Sequence, residues 1–189
     1  RQINETLSGK HIVAGVANSS PHKFAFYYGE PEAYAETIRD RTVGEADADG
    51  NMIRIALEPE YRLVLGEGGE RILYHPTAKT LPKKHQLKIR FADDTYLTVT
   101  VSGWGAVWLL PAAEPIPHRP ENYDTTSPLS EEFTFDRFNG NFEAAKEAAS
   151  SKSIKYFIVS EPGVWGVSNG YLQDVLFRAG VHQIGRAHV

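Results

Sequence analysis

The sequence predicts an α+β protein: an N-terminal antiparallel β-sandwich over residues 1–112, a linker at 113–127 and an all-helical domain at 128–183. Three observations predict it. Between residues 53 and 101 apolar side chains recur at every second position in runs joined by short turns, the pattern of antiparallel hairpins stacked as two sheets. Between Pro111 and Pro128 five prolines stand among polar residues, the composition of a connector between domains. From Ser130 onward the apolar spacing lengthens to that of a helix.

Taken in order, Arg1–Leu7 reads as the last turns of a helix, and His11–Ala17 as a strand. Ser20 to Tyr28 is rich in aromatic residues and is expected to supply core packing and a hairpin. Pro31 opens a short helix over Glu32–Arg39, because proline is favoured in a first turn. Asp47, Asp49, Asn51 and Glu58 fall at four positions of a calcium-binding loop. Met52 occupies the place where that loop turns sharply on glycine, so a tight turn is expected instead. Ile53, Ile55 and Leu57 then share one strand face, answered by Tyr61, Leu63 and Leu65 after a Glu-Pro-Glu turn. Leu87, Ile89 and Phe91 alternate with Lys88 and Arg90; Leu97, Val99 and Val101 alternate with Thr98 and Thr100. Beyond the linker, helical spacing runs through Phe133 and Phe138 and then Phe142 to Lys146, and Ser151 or Ser153 caps a further helix that carries Ile154, Phe157 and Ile158. Pro162-Gly163 breaks the chain before a third, capped by Ser168 or Asn169. Its apolar face is Leu172, Val175, Leu176 and Ala179, and Gly180 stops it.

Composition narrows the functional classes. Hydrophobic residues are 41% of the 189, enough for a packed core without staples. Cysteine is absent, which excludes disulfides and thiolate metal sites within this chain. The seven histidines show no ligand spacing, so no metal or cofactor is expected here. A net charge of −4 gives no overall support for nucleic-acid binding, which would need a local basic face. No run approaches a membrane span and no signal peptide is visible; a cytoplasmic monomer is the expectation.

The most specific words are Gly166-Val167-Ser168-Asn169 followed by Asp174-Val175-Leu176-Phe177-Arg178-Ala179-Gly180-Val181-His182. Together they resemble the helix–two-turn–helix signature of the formamidopyrimidine-DNA glycosylase and endonuclease VIII family, with Ser168 where the family prefers glycine. The resemblance extends in order along nearly the whole chain. Leu65-Gly66-Glu67-Gly68-Gly69 is similar to the family's Leu-Gly-Met-Ser-Gly, and Pro82-Lys83-Lys84-His85 to its Pro-x-Lys-His. Trp104-Gly105-Ala106 is similar to Phe-Gly-Ala, and Ser127 to Phe133 to Pro-Leu-Ser-Asp-x-Phe. Ile154-Lys155 matches the family's Ile-Lys.

The resemblance implies a base-excision-repair enzyme that flips a damaged nucleotide from duplex DNA, cleaves the glycosidic bond and nicks the strand. The family's nucleophile is the secondary amine of an N-terminal proline, with an adjacent glutamate handling protons. By this register both would lie about three helix turns before Arg1, and none of the 189 residues matches them. The family's hairpin lysine falls near Gly50-Asn51, and the arginine before its wedge phenylalanine is replaced within Ser102-Gly103. The expected DNA contacts are Asn169, Ser168 and Gly170 at a helix start, Lys155 on the preceding helix, and Lys83, Lys84 and His85 on a loop. Trp104 is either the wedge that fills the vacated stack or a core aromatic at a strand end. The family's zinc finger, or its zincless mimic, would fall past Val189. Residues 184–189 resemble one reading frame of a sequencing adapter and are expected to be a non-native tail on a fragment. Two other readings are a noncatalytic DNA-binding relative, and an unrelated sandwich that binds ligands or proteins through Phe24–Tyr28.

Overall fold

The computed structural model describes residues 1–66, 68–117, 124–148, 153–159 and 164–181. Glu67, Ser151, the Pro162-Gly163 break, His182 and the tail at 184–189 therefore lie outside the described residues. The chain divides into two units: residues 1–48 with 52–114, and residues 115–189 with Asp49–Asn51.

The first unit is a β-sandwich. It begins with α1 (Gln2–Leu7), then β1 (Ile12–Ala17) and a three-residue β2 (Ala25–Tyr27). One turn of 3-10 helix at Pro31–Ala33 leads into α2 (Tyr34–Ile38), so the helix announced by Pro31 is tighter at its start than its sequence spacing implied. Seven strands follow: β3 (Thr42–Asp49), β4 (Met52–Glu58), β5 (Tyr61–Gly66), β6 (Glu70–His75), β7 (Leu87–Phe91), β8 (Tyr96–Val101) and β9 (Gly105–Pro111). They form a four-stranded sheet ordered β1-β7-β8-β6 and a five-stranded sheet ordered β2-β9-β5-β4-β3.

The alternating residues meet where their period requires. Leu87, Ile89, Phe91, Leu97, Val99 and Val101 from one sheet and Ile55, Leu57, Leu63, Leu65, Val107 and Leu109 from the other belong to one buried cluster. Each such side chain contributes about 1.5–3 kcal/mol of burial. The unbroken apolar run of β9 has its own explanation: Ala106, Trp108 and Leu110 are buried on the opposite face of the same strand.

Two expectations are corrected. The segment Ser20–Tyr28 forms no hairpin; β2 lies parallel to β9, pairing Ala25 with Gly105 and Tyr27 with Val107. Thr98 does not face solvent but is fully buried, because its hydroxyl meets His75 Nε2 at 2.8 Å while His75 Nδ1 meets Thr80 Oγ1 at 3.0 Å. Burial keeps the His75 imidazole below the usual histidine range, hence neutral.

The second unit contains α3 (Phe135–Ala148), α4 (Ile154–Val159) and α5 (Asn169–Arg178). Thr134 caps α3 by accepting the Arg137 N–H at 3.2 Å, and Ser153 caps α4 by accepting the Tyr156 N–H at 3.3 Å. Ala145, Phe157, Ile158, Val164, Leu172 and Leu176 form its core. Phe157 meets Phe138 and Phe142 edge-to-face, with ring centroids 5.8 and 5.0 Å apart. The buried stripe of α5 is narrower than its sequence suggests. Only Leu172 and Leu176 are inside, whereas Val175 and Ala179 are exposed.

Candidate nucleic-acid interface

At the start of α5, Ser168 occupies the N-cap position, but its hydroxyl accepts no cap hydrogen bond. Asn169 is the first helical residue, so the cap expected from either side chain is not formed. The first helical bond runs from Leu172 N–H to the Ser168 carbonyl, leaving the Asn169, Gly170 and Tyr171 N–H groups ahead of it. Asn169 and Gly170 are exposed. Ser168 has φ −79° and ψ 161°, ordinary extended backbone, so a serine here in place of glycine adds no strain. The glycine the turn does require is Gly166, at φ 82°, where a Cβ would stand 2.8 Å from Gly50 Cα. The helix ends on Gly180 at φ 68°, with Gly180 N–H bonded to the Phe177 carbonyl and Val181 N–H to that of Leu176. Lys155 lies half-buried in the first turn of α4.

The turn at Asp49–Asn51 has no character of a calcium site. Asp47 accepts from Arg54 Nε at 3.0 Å, and Asp49 Oδ1 from the Trp165 indole N–H at 2.9 Å. Gly50 at φ 65° lies beneath the Trp165 ring, and a Cβ there would come within 2.3 Å of Trp165 Nε1. A side chain at position 50 would have to displace that ring. Among the described residues no group of three His, Asp or Glu side chains is arranged to hold a metal.

In the first unit, Lys83 and Lys84 are exposed and make no ion pair among the described residues. His85 is different. Its main-chain N–H donates to Ser20 Oγ, its carbonyl accepts from Ser19, and its Nδ1 lies 3.4 Å from the Pro82 carbonyl. Burial, with a smaller push from Lys88, holds its pKa below the usual histidine value, so the imidazole is neutral at pH 7. The positive charge of this loop therefore comes from Lys83 and Lys84.

Trp104 lies on the loop between β8 and β9 and is 59% exposed, which excludes a core role. It is nevertheless packed on one side. Its indole stacks on Phe24 at 4.8 Å and 20°, and on Phe26 at 5.3 Å and 29°. The aromatic segment Phe24–Tyr28 and the tryptophan are thus one patch. Nothing local in the sequence announces the parallel pairing that brings them together across so much chain. A groove of about 480 Å³ lined by Leu7, Ile53, Ile72, Tyr74 and Leu97 beneath α1 contains none of the expected DNA-contact residues.

Relatives and solved structures agree on what this arrangement is. A formamidopyrimidine-DNA glycosylase of Thermosynechococcus vestitus is 30% identical over 176 residues, covering 84% of this chain and 56% of the relative. That of Bacillus licheniformis is 26% identical over 158 residues, covering 81% of this chain and 54% of the relative. The chain thus spans about half the length of the curated relatives it matches. Among solved structures, MutM in complex with DNA containing carbocyclic 8-oxo-G superposes with a TM-score of 0.76 at 18% identity, covering 99% of this chain and 68% of that one. The Lactococcus lactis Fpg with abasic-site DNA gives 0.74 at 18% identity, covering 98% and 66%. No family model matches the chain. A mostly antiparallel sandwich followed by a helical unit is the fold shared with these solved structures. The chain is similar in sequence to formamidopyrimidine-DNA glycosylases over about four fifths of its length and shares the fold of the solved MutM and Fpg structures.

Proposed function

We propose that this chain binds duplex DNA at a damaged or abasic nucleotide, as part of a base-excision-repair glycosylase with strand-nicking activity. The observation that carries the reading is Trp104: a large aromatic, 59% exposed, stacked on two phenylalanines and set on a Gly-flanked loop. An exposed aromatic packed on one side suits insertion into a base stack, where it fills the space of a flipped nucleotide. The open N–H groups before Leu172, with exposed Asn169, suit a backbone phosphate. Ser168 and Gly170 flank Asn169 at that helix start, Lys155 in the first turn of α4 is a further candidate, and Lys83, Lys84 and neutral His85 offer backbone contacts from the sandwich.

The chemistry of such a reaction is nucleophilic. A secondary amine attacks C1′ of the flipped nucleotide and the base departs with a proton; the C1′–O4′ bond then opens, O4′ takes the proton lost by the amine, and an iminium joins enzyme and sugar. In the family a proline and a glutamate perform those steps, and the residues assigned here are DNA contacts. One observation favours a binding role even within a longer protein. The family's hairpin lysine falls near Gly50-Asn51, where a side chain at Gly50 would displace the Trp165 ring, and the arginine before the wedge is replaced within Ser102-Gly103.

The test is the affinity for duplex containing a tetrahydrofuran abasic analogue against the same undamaged duplex, at several salt concentrations. Tighter, salt-sensitive binding to the abasic duplex is expected, since phosphate contacts release counterions. Asn169→Ala should weaken it by about 1–3 kcal/mol, the scale of a charge-assisted hydrogen bond. Equal affinity for both duplexes would overturn the reading. Borohydride trapping on abasic DNA, using a protein that extends upstream of Arg1, tests whether imine chemistry survives.

A further inference from the structure

Three backbones converge on Trp104, and one carboxylate holds two of them together. Glu70, the first residue of β6, accepts the Ala106 N–H through Oε1 at 2.7 Å and the Gly68 N–H through Oε2 at 3.1 Å. It thereby ties the β5–β6 loop to the first residues of β9, immediately after Trp104. The contact is close enough to dictate composition. A Cβ on Gly69 would stand 2.2 Å from the Trp104 carbonyl oxygen, and one on Gly105 would stand 2.9 Å from Glu70 Oε1. Ser102 N–H bonds to the Gly69 carbonyl at 3.0 Å, and Gly105 N–H to the Phe24 carbonyl at 2.9 Å. The second bond brings β2, and with it Phe24 and Phe26, under the indole.

Glu70 has no cation against it among the described residues. Its surroundings are half-buried, and burial pushes its pKa above the usual carboxylate value while main-chain N–H groups pull the other way. Placing an unpaired carboxylate there is costly unless its hydrogen bonds do something. Fold stability alone does not call for it, because β6 is already paired with β8 along its whole length, from Glu70 opposite Val101 to His75 opposite Tyr96.

We propose that Glu70 is the positioning residue for Trp104: its carboxylate clasps the two loops so that the indole is presented in one orientation on Phe24 and Phe26 before DNA arrives. The proposal rests on the reading of Trp104 as the wedge. A side chain fixed in advance loses less freedom on binding, so the clasp acts on lesion affinity without touching DNA.

The experiment compares wild type, Glu70→Gln and Glu70→Ala, each with and without Trp104→Phe, so that the Trp104 emission is obtained by difference. Glutamine keeps the size and one acceptor oxygen but turns an N–H₂ toward the second N–H, so it preserves half of the clasp. Acrylamide quenching of the Trp104 component should rise in the glutamine variant and rise further in the alanine variant, with far-UV circular dichroism unchanged. Affinity for the tetrahydrofuran duplex should fall about tenfold in the alanine variant, the equivalent of one or two lost hydrogen bonds, with undamaged duplex unaffected. Unchanged Trp104 quenching in both variants overturns the clasp. Increased quenching together with a Trp104→Ala protein that binds the lesion duplex like wild type supports the clasp and overturns the wedge reading beneath it. Should the alanine variant lose its circular dichroism signal, the glutamine variant decides by the same two readouts.

Discussion

Tyr34→Phe removes one oxygen from the molecule, and the structure indicates what that oxygen does. Tyr34 is 2% exposed, and its hydroxyl sits past the end of β2, in the place where the next residue of that strand would continue the ladder with β9. It accepts the N–H groups of Tyr28 and Leu109, each at 3.0 Å. Its own proton is donated to the carbonyl of either Tyr28 or Val107, also at 3.0 Å. Burial raises its pKa, so the phenol stays protonated across the physiological range and the donor is always present. Phenylalanine would leave the Leu109 N–H buried without an acceptor, which costs about 1–3 kcal/mol. Tyr28 is 37% exposed, so its N–H regains water and adds a few tenths more at most. The expected loss is about 2–3 kcal/mol, read from urea titration of the isolated chain by circular dichroism. Because the lost bonds tie β2 to β9, the Trp104 emission should also redden before the main transition. A loss below about 0.5 kcal/mol would refute the reasoning, for it would mean that the N–H groups find other partners at no cost.

The other predictions concern the helical unit. Gly180 has φ 68° and no atom within 4 Å of a would-be Cβ, so Gly180→Ala should cost only the left-handed backbone penalty of about 1 kcal/mol, seen as earlier fraying of α5 in hydrogen exchange. Asp124 is pushed upward by burial, yet hydrogen bonds from Thr126, Asn141 and Arg137 outweigh that and hold it at about 2. An unfolded aspartate takes its proton near pH 4 while the folded one does not, so the network stabilises fully above about pH 4 and its contribution is lost as pH falls toward 2. Asp124→Asn should lower stability by about 1–2 kcal/mol at pH 7 and abolish that acid-side decline, in urea titrations at a series of pH values.

Much of this fold could be read from residue spacing alone. Where one sheet face is buried and the other wet, as for Leu87-Lys88-Ile89-Arg90-Phe91, the period of two is unmistakable. β3, with the sequence TVGEADAD, escaped because it is an edge strand and carries few apolar side chains. β6 escaped because its polar members have buried work to do, Glu70 on loop N–H groups and His75 on Thr98. The parallel β2–β9 pair left no local trace, since register between distant strands is set by packing and not by turn residues. At the candidate interface the residue types were legible and their states were not. His85 looks cationic beside two lysines until its burial is seen. Ser168 looks like a cap and a departure from pattern, yet it is neither a hydrogen-bonding cap nor a strained residue. Gly50 looks like an ordinary turn glycine, and only the Trp165 ring explains why nothing larger stands there.

The short second strand carries a kinetic consequence. Three residues long, at the rim of its sheet, it joins position 25 to position 105 and so cannot form until most of the sandwich has been threaded into place. Among strands it should be last to assemble and first to detach, and its amides should exchange with solvent at a lower opening energy than those of β5 or β8. When it lifts, Phe24 and Phe26 leave with it and the tryptophan loses its seat. The seat of the aromatic finger is thus the edge that opens first, and the Tyr34 and Glu70 hydrogen bonds are what keep it closed.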